Sequence, residues 1–128
     1  MVTEAVLYVR DLDAIAAFYG RGLGLRLDET GDGYRGLSSE GFIVWLVRRN
    51  QQPQDDADAD EPARRRSDIP VKLAFELPSI ELAASTIKSL GGRISAKSWE
   101  FAGYLRRDAV DPEGNVLQLL ERVASPEE

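Results

Sequence analysis

The order of elements in the first third of the chain recurs in the last half, and this repeat limits the available folds more than any other feature. Val2–Val9 is a β-rich run, and Asp11 follows as a helix N-cap. Leu12, Ile15, Ala16 and Tyr19 fall at helical spacing, and Gly20, Gly22 and Gly24 then stop the helix. Leu25–Glu29, Tyr34–Ser38 and Phe42–Val47 read as strands, separated by the turns Thr30-Gly31-Asp32-Gly33 and Ser39-Glu40-Gly41. Val71–Leu77 begins the same series again. Ser79 caps a helix bearing Ile80, Ala83, Ala84, Ile87 and Leu90, and Gly91-Gly92 ends it. The strands Arg93–Trp99, Tyr104–Val110 and Asn115–Glu121 follow. A shift of about 68 positions lays Val9 on Leu77, Leu12 on Ile80, Tyr19 on Ile87 and Gly24 on Gly92. The chain is a degenerate tandem repeat of two β-α-β-β-β units.

Such a unit makes a short curved sheet with a helix on one face, and two of them can enclose a cleft. Strand parity assigns the faces. In the first strand Ala5, Leu7 and Val9 suit a helix, leaving Glu4, Val6 and Tyr8 for the open side; in its counterpart Leu73, Phe75 and Leu77 oppose Lys72, Ala74 and Glu76. The last strand follows the turn Asp111-Pro112-Glu113-Gly114, in which Pro112 presets φ, Gly114 permits a positive φ and Asp111 can bond the backbone ahead of it. Leu117 and Leu119 then face one way, and Val116, Gln118 and Leu120 the other. A single amide therefore sits in the middle of an otherwise apolar face.

Composition removes whole classes of chemistry. With no cysteine there is no disulfide, thiolate metal site or cysteine nucleophile; with no histidine there is neither the commonest general base nor the commonest transition-metal ligand. A net charge of −6 argues against nucleic acid and anionic membranes as partners. No apolar run reaches the ~18–20 residues that span a bilayer, and no leader-like segment opens the chain, so the expected location is cytoplasmic. The 128 residues are read as one domain, with modules at about 1–48 and 69–123 joined by a mobile linker at about 49–68. That linker holds five acids between Asp55 and Glu61 and the run Arg64-Arg65-Arg66, read as solvated charge.

The segments Leu7-Tyr8-Val9-Arg10-Asp11-Leu12-Asp13, Ala17-Phe18-Tyr19 with Leu23-Gly24-Leu25, Leu73-Ala74-Phe75-Glu76-Leu77 and Asp111-Pro112-Glu113-Gly114-Asn115 occur in an order and spacing that resemble the vicinal oxygen chelate superfamily. That superfamily includes glyoxalase I, extradiol dioxygenases and bleomycin resistance proteins. The resemblance implies an α+β fold of two tandem βαβββ modules, a curved mixed sheet around a cleft with the helices outside. It also implies a divalent metal held by inward residues on four strands. At the matching positions this chain has Glu4, Trp45, Lys72 and Gln118. Lysine is a cation without an acceptor and the indole nitrogen only donates, so at most two oxygen ligands remain. No metal or other cofactor is expected. The resemblance then points to the metal-free branch typified by bleomycin resistance proteins, which sequester a drug in grooves at a homodimer interface.

Other residues bear on the same question. Trp99-Glu100-Phe101-Ala102-Gly103-Tyr104 gathers three aromatics around one turn, and Tyr8 joins Trp45 by parity. Each ring alone suits a core or a dimer contact, whereas as a set they suit a ligand. Gln118 reads equally as a ligand contact and as a buried amide bonded to its neighbours. Glu4 and Lys72 are expected to pair across the seam between modules, or to clamp a ligand. Of Arg106, Arg107 and Asp108, one could reach the cleft mouth. The expected function is non-catalytic binding of a small aromatic or cationic molecule by a homodimer, with antibiotic sequestration as its sharpest version, Glu4, Tyr8, Trp45, Lys72, Trp99, Phe101, Tyr104 and Gln118 at the site and no catalytic residues. The alternatives are a glyoxalase-type lyase or isomerase, with or without metal assistance, using Glu4 as base and Lys72 or Gln118 to steady an oxyanion, and a structural dimer without ligand.

Overall fold

Asp11 and Ser79 show how closely the two halves correspond. Each side chain accepts a hydrogen bond from the backbone three residues on, from Ala14 and Leu82 respectively, and so caps the helix that follows. In the computed structural model, which describes residues 2–49 and 70–123, the first half is β1 (Thr3–Val9), α1 (Leu12–Ala17), a π-helical turn (Phe18–Gly22), β2 (Arg26–Gly31), β3 (Tyr34–Ser39) and β4 (Phe42–Arg48). The second is β5 (Leu73–Glu76), α2 (Ile80–Ser89), β6 (Arg93–Phe101), β7 (Tyr104–Val110) and β8 (Val116–Arg122). The strands form two four-stranded mixed sheets, ordered β1-β4-β3-β2 and β5-β8-β7-β6. In each, the first strand pairs in parallel with the last and the other pairs are antiparallel. The fold is α+β, two tandem βαβββ modules. The linker and the Arg64–Arg66 run lie outside the described residues. No described helix is long and apolar enough to cross a membrane.

The first helix is shorter than its periodicity suggests. It gives way after Ala17 to the wider turn, in which the Leu23 amide donates to the Phe18 carbonyl and the Leu25 amide to the Tyr19 carbonyl, both at 3.1 Å. The glycines explain the change. They are poor helix formers, although a Cβ at Gly22 would meet Leu90 and Ile87 only at ordinary contact distances of 3.5 and 3.8 Å. Any side chain at Gly92 would collide with the Phe18 ring. The wide turn places Phe18 and Tyr19 fully in the interior.

One apolar core runs through both modules. Val9, Ile15, Phe18, Leu37, Val44 and Leu46 from the first are continuous with Phe75, Ile80, Ile87, Leu117 and Leu119 from the second. Each large side chain buried there is worth roughly 1.5–3 kcal/mol. Polar links at the last turn cross the same boundary. The buried Asp111 carboxylate accepts from the Glu113 amide at 2.9 Å, the Asn115 amide at 3.0 Å, the Asn115 Nδ2 at 2.8 Å and the Tyr19 hydroxyl at 2.9 Å. Glu113 in turn accepts from the Arg10 and Asp11 amides at 2.8 Å. The last turn, with Gly114 at φ 87°, thus fastens β8 in the second module to the start of α1 in the first.

Candidate functional site

Each sheet turns one face to the core and leaves the other open, and register assigns the side chains. On the second sheet the open face is built from Ala74 and Glu76 of β5, Gln118, Leu120 and Arg122 of β8, Asp108, Arg106 and Tyr104 of β7, and Trp99 and Phe101 of β6. Lys72, one residue before β5, reaches onto it. Leu117 and Leu119 point the other way and are buried.

Gln118 sits at the centre of this face and is fully engaged. Its Oε1 accepts from Arg106 Nη1 at 2.8 Å, and its Nε2 lies 3.5 Å from Asp108 Oδ1. That carboxylate also holds Lys72 Nζ at 3.0 Å. The expected Glu4–Lys72 pair is therefore absent: Lys72 is drawn to the nearer acid, two strands away in its own sheet, and Glu4 is exposed on the other sheet. Arg106 also donates through Nε to the Phe101 carbonyl at 3.0 Å. Its guanidinium carbon lies 5.3 Å from the Phe101 ring centre and 5.7 Å from that of Tyr104. Beside it the Tyr104 hydroxyl donates to Glu76 at 3.0 Å and accepts from Arg122 at 3.1 Å, while Arg122 lies 3.6 Å from Glu76.

The open face of the first sheet carries Glu4, Val6 and Tyr8 of β1, Ile43, Trp45 and Val47 of β4, and Tyr34, Gly36 and Ser38 of β3. Glycines let the aromatics lie flat. A Cβ at Gly36 would stand 2.6 Å from Cζ3 of Trp45, and one at Gly31 would run into the Tyr34 ring. Tyr34 and Trp45 meet edge to face at 6.2 Å between centroids. At the far edge Asp28 binds Arg26 Nε at 2.5 Å and the Ser38 hydroxyl, and these bonds hold its carboxyl below the usual carboxylate range.

Of the eight residues singled out from the sequence, Lys72, Trp99, Phe101, Tyr104 and Gln118 share the second open face, and Glu4, Tyr8 and Trp45 share the first. Arg106 and Asp108 were left undecided by the sequence and prove to be the hub of the second face. They have the same strand parity as Tyr104, a signal already present in the β7 run. Arg107 has the opposite parity and is occupied by the Ser95 carbonyl at 2.9 and 2.5 Å. Glu76 and Arg122 share the face by the same parity, and the Tyr34–Trp45 contact depended on side-chain packing.

The residues at the superfamily's metal positions do not fit a metal. Gln118 spends its oxygen on a guanidinium, Lys72 places an ammonium beside it, and Trp45 has no lone pair to give. Among the described residues no group of three or more acidic side chains could hold an ion.

A model of the glyoxalase-like domain matches residues 4–120. The fold is shared with a glyoxalase-related enzyme from Fulvimarina pelagi (21% identity over 95% of this chain and 88% of that one, TM-score 0.67). It is also shared with a glyoxalase/bleomycin resistance protein from Albidiferax ferrireducens (18%, 96% and 99%, 0.67) and a glyoxalase/bleomycin resistance protein/dioxygenase family enzyme from Burkholderia phytofirmans (19%, 94% and 98%, 0.67). No curated protein matches the chain.

Proposed function

The chain belongs to the glyoxalase-like domain family, and from that premise we propose that it binds a small aromatic molecule without transforming it, sequestration of an antibiotic being the sharpest form of the reading. The observation that carries it is that Lys72 and Gln118, two of the four residues that the resemblance makes metal ligands, are engaged instead by Asp108 and Arg106. A residue already bonded on both sides of its amide is poorly placed to act on a substrate, and Glu4 is exposed on the other sheet. What the faces offer instead is flat ring surface: Trp99, Phe101 and Tyr104 on one, Tyr8, Tyr34 and Trp45 on the other. Stacking on such rings contributes ~0.5–1.5 kcal/mol per contact beyond the area buried.

The same reading includes a homodimer. Val6 and Tyr8 are 50% and 65% exposed, and Phe101 66%; a second copy would cover part of this apolar area and convert open faces into grooves. A thermal-shift screen of aromatic antibiotics against the purified chain tests the proposal. A true ligand at 100 times its Kd should add roughly 2.7 kcal/mol of stability. Turnover of a glutathione hemithioacetal or a catechol by the same preparation would overturn it in favour of an enzyme.

A further inference from the structure

Among the described residues, the acids on the second open face pair with Lys72 and Arg122 and not with Arg106. Lys72 is matched by Asp108, and Arg122 by Glu76. Arg106 is half-buried, yet its partners among the described residues are all neutral: the Phe101 carbonyl, the Gln118 amide oxygen and the π-faces of Phe101 and Tyr104. Its Nη2 group donates to no described residue. A guanidinium held in this way is fixed in orientation through Nε and Nη1, keeps Nη2 open, and meets no carboxylate among the described residues.

From this, and resting on the binding-module reading above, we infer that the second face selects an anionic aromatic ligand, one with a carboxylate or similar planar anion next to a ring. The anion would accept a charge-assisted hydrogen bond from the open Nη2 group of Arg106. The ring would lie against Trp99, whose strand position pairs directly with Arg106, and against Phe101. A cationic ligand fits poorly. The rings that would attract it are already faced by Arg106 and Arg122, the latter 5.3 Å from the centre of Tyr104, and the Arg106 charge would repel it.

Calorimetric titration of the full chain with sodium salicylate and with benzamidine, two probes of similar size and opposite charge, tests the inference. Salicylate is expected to bind more tightly than benzamidine and to weaken as salt is raised. Arg106→Gln should weaken salicylate about 10- to 100-fold, the scale of a lost charge-assisted bond, and Arg106→Lys should fall between the two. Arg21→Gln, which removes the same charge from an exposed site in the helical turn, should change nothing. The lysine variant and the salt series keep the question answerable should the glutamine variant misfold. Tighter binding of benzamidine, insensitive to Arg106→Gln, would overturn the charge assignment and leave the binding module standing. Failure of both probes, and of every neutral aromatic compound tried, would overturn both. If Arg106→Gln shifted the monomer–dimer equilibrium in sedimentation and salicylate did not bind, a second copy covers the face and the inference fails.

Discussion

Tyr19→Phe deletes a single oxygen and with it the one buried side-chain bond that joins the helical turn of the first module to the last turn of the second. The ring is 2% exposed and packs against Phe18 and Phe75 at centroid distances of 5.1 and 5.6 Å, so phenylalanine keeps the packing. The lost bond is 2.9 Å long, buried, and made to a carboxylate. Bonds to charged groups contribute about 1.5–3 kcal/mol, and Asp111 keeps its other donors, so the variant should be destabilised by about that much. For a chain of this size that lowers Tm by roughly 5–12 °C. In urea the midpoint should fall with an unchanged m-value. Burial, and then the charge of Asp111, push the Tyr19 phenol up. A proton held more tightly in the folded state gives stability that is complete below the unfolded tyrosine value, near pH 10, and declines as pH rises towards the folded one. Wild type should therefore lose stability above about pH 10 more steeply than the variant. A loss below about 0.5 kcal/mol, or additivity of Tyr19→Phe with Asp111→Ala in a double-mutant cycle, would refute the claim that this bond couples the modules.

Three further outcomes follow from the same geometry. Gly36→Ala must push the indole of Trp45 off β3, so the protein should lose about 1–3 kcal/mol and its tryptophan emission should shift. An unchanged spectrum would show that the ring does not lie there. Glu113→Ala leaves the Arg10 and Asp11 amides without their acceptor and should cost about 1–2 kcal/mol in a urea titration. Asp28→Asn removes a carboxyl whose folded pKa is depressed by Arg26 and Ser38. The depressed value makes its contribution present above the unfolded pKa, about 3.9, and lost as pH falls through the lower folded one. Wild type and variant should then converge in stability under acid, and a gap that persists there would contradict the assignment.

The repeat was legible because each of its elements carries its own signal: capping Asp11 and Ser79, period-2 strands, and glycines at the turns. Parity was enough to put Gln118 on the open face and Leu117 and Leu119 in the core. Local signals could not show that the first helix ends in a wide turn that buries Phe18 against Gly92 of the other module, since that contact is long-range. Nor could they choose a partner for Lys72. Equivalence between the modules suggested Glu4, but an ammonium responds to distance, and β7 brings Asp108 closer. The Arg106 hub was missed for a related reason: a charged strand residue reads as surface until its register places it between two rings and an amide.

At the four positions that the resemblance makes metal ligands, this chain offers the carboxylate of Glu4 with an indole, an ammonium and an amide, a set that does not hold a metal. Calorimetric titration of the purified chain with Zn²⁺, Ni²⁺ and Mn²⁺ in turn tests it most directly. The Lys72–Asp108 and Arg106–Gln118 network predicts no saturable stoichiometric site for any of them. One equivalent of metal bound tightly, and lost on Gln118→Ala, would contradict it.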